Sequence, residues 1–213
     1  MSSDVLVTTP AQRQTEPHAE AVSRNRRQQA TFCKVLAAAM ATLREKSYAD
    51  LTVRLVAARA KVAPATAYTY FSSKNHLIAE VYLDLVRQVP CVTDVNVPMP
   101  IRVTSSLRHL ALVVADEPEI GAACTAALLD GGADPAVRAV RDRIGAEIHR
   151  RITSAIGPGA DPGTVFALEM AFFGALVQAG SGTFTYHEIA DRLGYVVGLI
   201  LAGANEPSTG GSE

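Results

Sequence analysis

The chain has 213 residues, of which 48% are hydrophobic, and a net charge of −1 at pH 7. That length and apolar content allow one or two domains with a sizeable core and exclude a chain that is disordered throughout. The sequence predicts no apolar run as long as a membrane span, and its first 23 residues lack the apolar segment of a secretory signal. We therefore expect a cytoplasmic protein with no membrane partner.

The near-zero net charge hides a strong asymmetry along the chain. Residues 24 to 88 hold 11 Lys or Arg against 4 Asp or Glu, a net charge of +7, whereas residues 89 to 213 carry −6 and residues 1 to 23 carry −2. A basic block of this kind is typical of a surface that binds duplex DNA, although a solvated helical surface gives the same count.

Residues 52 to 77 predict two short helices on either side of a tight turn. The first helix has a buried stripe at the i, i+3, i+4, i+7 spacing, formed by Val53, Val56, Ala57 and Ala60. The turn is residues 61 to 63. Pro64 then begins a second helix at the position where its missing N–H costs nothing, and that helix ends near Tyr70. The pattern is that of a helix-turn-helix.

Further helices are expected on both sides of this pair. Residues 27 to 46 form an amphipathic helix, and Phe71 follows the second helix of the pair as a buried plug. Ser72 is then expected to cap a helix that runs to residue 89, where Pro90 ends it.

The spacing of residues 52 to 77, and above all the run YTYFSSKNHL, resembles the DNA-binding domain of the tetracycline-repressor (TetR) family. The resemblance covers roughly residues 27 to 88. Two departures are Ser47 and Lys61, which stand where the family commonly has glycine. If either backbone position needs a positive φ, the residue there is strained.

The resemblance implies that residues 64 to 70 form the recognition helix in the major groove. Thr66, Tyr68, Tyr70 and Lys74 match positions that contact phosphates, and Arg54 matches one that can read guanine. Because the recognition helix has no Arg, Asn or Gln, we expect specificity to depend on Arg54 and on DNA shape. The residues assigned to DNA are Arg24, Arg26, Arg27, Arg54, Lys61, Pro64, Ala65, Thr66, Tyr68, Thr69, Tyr70 and Lys74.

The basic run before the first helix has two interpretations. Arg24, Arg26 and Arg27 follow a polar segment without helical period, so they form either an arm that enters the minor groove or a solvated basic run. Lys61, in the turn, is expected to point outward as a further phosphate contact.

Beyond residue 100 every segment has a helical period, and residues 90 to 100 contain three prolines without one. The sequence therefore predicts an all-α fold. A three-helix helix-turn-helix DNA-binding domain covers residues 24 to 89, and a helical effector-binding and dimerisation domain covers residues 90 to 203. Residues 1 to 23 and 204 to 213 are expected to be disordered tails.

The last two helices carry small residues at every fourth position, which lets helix axes approach closely. The pattern fits either a buried pair within one chain or a homodimer, and we favour the homodimer because the resembled family dimerises through these helices. The residues are Ala167, Ala171, Ala175, Ala179, Ala190, Gly194, Gly198 and Ala202.

An effector pocket is expected between the helices that begin near residues 101, 135 and 162. Scant interior charge favours a largely apolar effector such as a lipid, an acyl chain or a hydrophobic drug. The candidate lining residues are Leu110, Ile144, Ile148, Met170 and Phe173.

We find no catalytic motif. The five histidines are scattered, and the three cysteines, Cys33, Cys91 and Cys124, have no paired spacing, so neither a metal site nor a cofactor is expected. The sequence therefore predicts a ligand-responsive repressor that binds double-stranded DNA as a homodimer. The alternatives are an effector-independent DNA-binding protein and a helical carrier or enzyme with a vestigial DNA-binding domain, which only Ser47 and Lys61 support.

Overall fold

The computed structural model describes residues 16 to 204 apart from residue 93, with side chains from residue 25 onward except those of residues 93 and 131. These residues form an all-α fold without strands, as predicted. The helices are α1 (Glu16–Leu43), α2 (Val53–Arg59), α3 (Pro64–Tyr70), α4 (Lys74–Gln88), α5 (Met99–Ala111), α6 (Pro118–Asp130), α7 (Pro135–Ile156), α8 (Pro162–Gly180) and α9 (Tyr186–Ala204).

The first helix corrects the expected N-terminal tail. Because α1 begins at Glu16, residues 16 to 23 are helical and not disordered, while residues 1 to 15 lie outside the described residues. At the other end of the chain, α9 includes Ala204, the first residue of the predicted C-terminal tail, and residues 205 to 213 are likewise outside the described part.

The helices of the second region follow the predicted order with small shifts. α7 begins at residue 135 as predicted, because Asp134 caps it, accepting the Ala136 N–H at 2.9 Å, and Gly157 ends it at a φ of 98°. The helix expected from residue 101 begins at Met99 and tightens into a 3₁₀ turn over Leu112–Val114.

A single cluster of buried apolar side chains runs through both regions. α4 connects them, because it packs against α1 on one side and against α6 and α7 on the other. α5 packs mainly against α9, and α8 packs against α6, α7 and α9. α4 therefore contacts both α1 of the first region and the helices of the second region.

Polar contacts also join α4 to α7. The buried Glu80 carboxylate accepts from Arg143 Nη1 at 2.6 Å, and His76 Nε2 lies 3.6 Å from it. Burial raises the pKa of Glu80, but the contacts with His76 and Arg143 outweigh it, so the pKa lies below its ordinary value. Ser73 Oγ donates to Asp134 at 2.9 Å at the start of both helices.

Candidate DNA-binding surface and effector cavity

The α2–turn–α3 unit forms as the sequence predicts. Thr52 caps α2 by accepting the Leu55 N–H at 3.1 Å, and Pro64 occupies the first turn of α3. The predicted stripe is buried, with 0 to 4% of each residue exposed: Val53, Val56, Ala57 and Ala60. Phe71 is also fully buried.

Lys61 has a φ of 54°, the left-handed conformation that glycine adopts without strain. The turn therefore needs a positive φ, while Ser47 does not adopt one. The Lys61 side chain is exposed, as expected for an outward-pointing residue. The helix-turn-helix thus keeps its geometry despite both departures from glycine.

Lys61→Gly is expected to stabilise the fold. Glycine removes a left-handed penalty of about 1 to 2 kcal/mol, and its freer unfolded chain takes back about 0.4 to 1 kcal/mol. Chemical denaturation should therefore show a net gain of roughly 0.5 to 1 kcal/mol. Lys61→Ala is the matched control, since alanine keeps the Cβ and hence the strain; an equal gain in both variants would contradict this account.

α3, the predicted recognition helix, is exposed on nearly every side, and Ala67 is its one buried residue. Tyr68 is 51% exposed, and the Thr69 hydroxyl donates to Ala65 O at 3.1 Å. The other exposed residues assigned to DNA within α2 and α3 are Arg54, Pro64, Ala65, Thr66 and Thr69. These side chains are accessible to a groove, and among them only Arg54 carries a charge.

Tyr70 belongs partly to the core. Its ring lies 6.1 Å from the Phe32 ring and 6.2 Å from the Phe71 ring, between ring centroids. Tyr68, the other tyrosine of α3, is exposed instead. A contact between Tyr70 and DNA would therefore depend on its hydroxyl alone.

Lys74 points toward the loop after α1. Its Nζ donates to Tyr48 O at 3.2 Å and lies 4.5 Å above the Tyr48 ring centroid. Since an ammonium has three donors, a phosphate contact would have to use what these contacts leave free. The cap of α4 is Ser73, not Ser72 as expected, because the Ser73 Oγ accepts the His76 N–H at 3.0 Å.

The basic run is helical, so the hypothesis of an extended arm starting at Arg24 does not hold for this structure. Arg26 and Arg27 are exposed on α1, and the Arg24 side chain lies outside the described residues. These arginines remain candidates for phosphate contacts from a helix.

A cavity of about 330 Å³ lies between α4, α6, α7 and α8. Its apolar wall includes Leu128, Leu129, Ile144, Phe173, Leu176 and Val177. Gly121 helps to shape it, because a Cβ at that position would collide with the Tyr186 ring. Cys124 also lines the cavity, and burial raises the pKa of its thiol to about 12, so the group stays protonated near neutral pH.

The residues predicted for the effector pocket lie in different places. Ile144 and Phe173 line this cavity, Leu110 and Ile148 are buried outside it, and Met170 is exposed on α8. The walls from α4 and α6 were missed, and they include Tyr82. No periodic pattern marks these residues, because a cavity arises from the imperfect fit of helices that are distant in sequence.

The small residues expected at a dimer interface differ in their exposure. Ala179 and Ala190 are buried within the chain, so the prediction does not hold for them, and a Cβ at Gly194 would lie 3.4 Å from Thr104 Cγ2 on α5. Gly198 and Ala202 are exposed, while the half-buried group is Ala167, Ala171 and Ala175.

Large apolar side chains are exposed beside these small residues. They are Phe166, Met170 and Val177 on α8 and Tyr195 and Leu199 on α9; we call these five residues the α8–α9 apolar face. By length and composition alone α8 is apolar enough to cross a membrane, so the expectation that no run reaches that length is wrong. Because α8 packs against four helices of the same chain, its exposed residues are typical of a protein interface.

Among the side chains that the structure describes, no three His, Cys, Asp or Glu residues gather closely enough to hold a metal ion.

Comparison with known proteins agrees with this architecture. Residues 35 to 81 match the family model described as bacterial regulatory proteins, tetR family. A TetR transcriptional regulator from Rhodococcus sp. RHA1 is 21% identical, with a TM-score of 0.69, over 84% of this chain and 98% of the other. At such identity the structural likeness establishes the fold.

Two similar structures were solved with ligands. The FadR repressor of Thermus thermophilus, in complex with lauroyl-CoA, is 18% identical with a TM-score of 0.61, over 85% of this chain and 100% of the other. Bacillus subtilis FadR, in complex with stearoyl-CoA, is 14% identical with a TM-score of 0.54, over 81% of this chain and 98% of the other.

Proposed function

We propose that this chain, which matches the TetR family of transcriptional regulators over residues 35 to 81 and shares the fold of such regulators, is a cytoplasmic repressor that a small molecule releases from DNA. It binds an inverted-repeat operator as a homodimer, and the releasing molecule is largely apolar. The observation that carries the proposal is the position of Tyr82, which lines the cavity and belongs to α4, the helix that follows the recognition helix.

The cavity suggests how a ligand changes DNA binding. A molecule that fills it touches α4 directly, and α4 begins at Lys74, four residues after α3 ends at Tyr70. A ligand that binds more tightly when α4 is displaced shifts the population toward that state. The two recognition helices of the dimer then no longer fit half-sites spaced about 34 to 36 Å apart, or a multiple of that distance.

An apolar effector is favoured by the cavity wall, where aliphatic and aromatic side chains predominate. The two FadR structures hold ligands with long acyl chains, which supports the same chemistry here. The homodimer is favoured by the α8–α9 apolar face, which would otherwise leave five large apolar side chains in water.

Arg54→Ala is expected to relax sequence preference at a cost of about 1 to 3 kcal/mol on the operator, because a bidentate contact with guanine is lost. Binding to random DNA should change little. Arg59→Ala is a matched control on the same helix, since the Arg59 guanidinium already pairs with Glu45 at 2.6 Å. Fluorescence anisotropy on both DNAs measures the difference, and equal losses on the two for Arg54→Ala would refute base reading.

Lys74→Ala is expected to weaken operator and random DNA alike, because a phosphate contact carries no sequence information. Since Lys74 also contacts the carbonyl and ring of Tyr48, the thermal midpoint of the variant must be measured beside its affinity. A loss confined to the operator would contradict the phosphate assignment.

Selection from a random pool of duplexes, followed by footprinting, tests the function as a whole. The proposal expects an inverted repeat protected by a dimer and released by an apolar ligand. Protection that no ligand reverses would favour an effector-independent DNA-binding protein. Ligand binding without any selected duplex would favour a carrier with a vestigial DNA-binding domain.

A further inference from the structure

Two polar groups on the cavity wall have buried atoms without a hydrogen-bond partner among the residues that the structure describes. They are the Tyr82 hydroxyl and the Arg141 Nε. Tyr82 is only 5% exposed, so water outside the protein does not satisfy its hydroxyl. An unpaired buried polar atom costs free energy, and such atoms commonly await a ligand or an ordered water.

Arg141 is the one charged side chain that lines the cavity as the structure describes it. Its guanidinium makes no ion pair with a described carboxylate, and its only hydrogen bond runs from Nη2 to Gly132 O at 3.4 Å. Three other arginines of α7 do have carboxylate partners, since Arg143 pairs with Glu80 and both Arg150 and Arg151 pair with Glu147. The cavity lining thus combines one positively charged side chain, which has no anionic partner, with an apolar wall.

We propose that the effector is an amphipathic acid whose carboxylate binds Arg141 and Tyr82 while its apolar body packs against Ile144, Phe173 and Leu176. A carboxylate supplies two acceptor oxygens, which suits a guanidinium fork and a phenol donor together. A volume of about 330 Å³ suits a small ligand, since it lies at the low end of ligand pockets. This inference rests on the proposed function in one respect only, namely that the effector binds in this cavity.

The test compares ligands that share an apolar chain and differ in the head group. Binding of dodecanoate, dodecanol and lauroyl-CoA to the full-length protein is measured by calorimetry without DNA. We expect dodecanoate to bind more tightly than dodecanol by roughly tenfold to a hundredfold, the usual contribution of a charge-assisted hydrogen bond. Equal binding of the acid and the alcohol, binding of lauroyl-CoA alone, or no binding of dodecanoate would overturn the inference.

Two arginine variants test whether Arg141 holds the carboxylate of the ligand. Arg141→Gln should abolish the preference for the acid and leave dodecanol binding unchanged. Arg138→Gln, at an exposed arginine of the same helix that does not line the cavity, should keep the preference. If the preference survives in Arg141→Gln, the carboxylate is held elsewhere and the assignment is wrong.

Tyr82→Phe gives a second readout, because it should weaken ligand binding without lowering the stability of the protein. Removing an unpaired buried hydroxyl should leave the melting temperature of the ligand-free protein unchanged or higher, while dodecanoate binds several-fold more weakly. A lower melting temperature with unchanged dodecanoate affinity would mean that the hydroxyl is structural and contradict its assignment to the ligand.

Failure of this inference is distinguishable from failure of the proposed function. Acid binding that depends on Arg141 but never releases operator DNA supports the carboxylate and contradicts the proposed regulation. Release by dodecanol as efficient as release by dodecanoate supports the regulation and overturns the carboxylate.

Discussion

Arg151→Met is expected to destabilise the protein by about 3 to 5 kcal/mol, the usual cost of removing one partner of a buried charged network. Arg151, in the last two turns of α7, is only 3% exposed. Its Nε donates to Glu147 at 2.8 Å, and its Nη1 donates to Val89 O at 2.6 Å, where α4 ends. Methionine fills much of the volume but leaves the carbonyl and the carboxylate without this donor.

The adjacent Arg150 provides the control for this variant. It also pairs with Glu147, at 2.6 Å, but more than half of its side chain is exposed. Arg150→Met should therefore cost less than about 1 kcal/mol, as exposed ion pairs usually do. Urea denaturation of both variants measures the difference, and equal losses would show that burial of Arg151 does not decide its contribution.

The same network gives a pH dependence with a definite sign. Hydrogen bonding from Arg150, opposed by burial and assisted by Arg151, lowers the pKa of Glu147 from its ordinary value of 4.5. A carboxylate with a depressed folded-state pKa stabilises the fold above its unfolded pKa and loses that contribution as the pH falls through the folded value. The part of acid sensitivity below pH 4.5 that comes from Glu147 should therefore shrink in Arg151→Met.

Local patterns predicted the helix-turn-helix because its determinants are neighbours in the chain. The stripe from Val53 to Ala60 and the proline at position 64 fix two helices, and the turn at Lys61 has the positive φ that a glycine would adopt without strain. α7 was predictable for the same reason, with Asp134 at its start and Gly157 at its end. These local signals do not depend on contacts with the rest of the chain.

Long-range packing decided the features that the sequence did not predict. Lys74 looked like a free phosphate contact, but Tyr48 lies against it across 26 positions of sequence. Arg141 had no predicted role, yet it lines a cavity that α4, α6 and α8 complete. In both cases the side chain's role depends on which distant helix packs beside it.

The prediction for the small residues of α8 and α9 failed in part for a related reason, because it misjudged which neighbour they face. A row of alanines permits close approach on either side of a helix, and sequence spacing does not say whether the neighbour is another helix of the same chain or a second copy. Ala179 and Ala190 turn out to face the chain's own interior, whereas Met170 and Leu199 are exposed. The exposed large residues are therefore the better candidates for the dimer interface.

Leu199→Glu and Met170→Glu are each expected to separate the proposed dimer into monomers. In a twofold interface each substitution appears twice, so dimerisation would bury two carboxylates without partners. A monomer contacts one half-site only, and the loss of bivalent binding should lower affinity for the inverted repeat by about 10² to 10⁴. Affinity for an isolated half-site should stay the same, because α3 is far from the substitution in the chain and its contacts are untouched.

Ile101→Glu is the matched control, since Ile101 on α5 is 54% exposed, close to the 52% of Met170 and the 57% of Leu199, and lies outside the α8–α9 apolar face. It should remain a dimer and keep full affinity for the inverted repeat. Analytical ultracentrifugation combined with anisotropy on full and half-site duplexes measures both quantities. Dimers that persist in Leu199→Glu and Met170→Glu would place the interface elsewhere, and monomers that retain full operator affinity would contradict cooperative binding by two recognition helices.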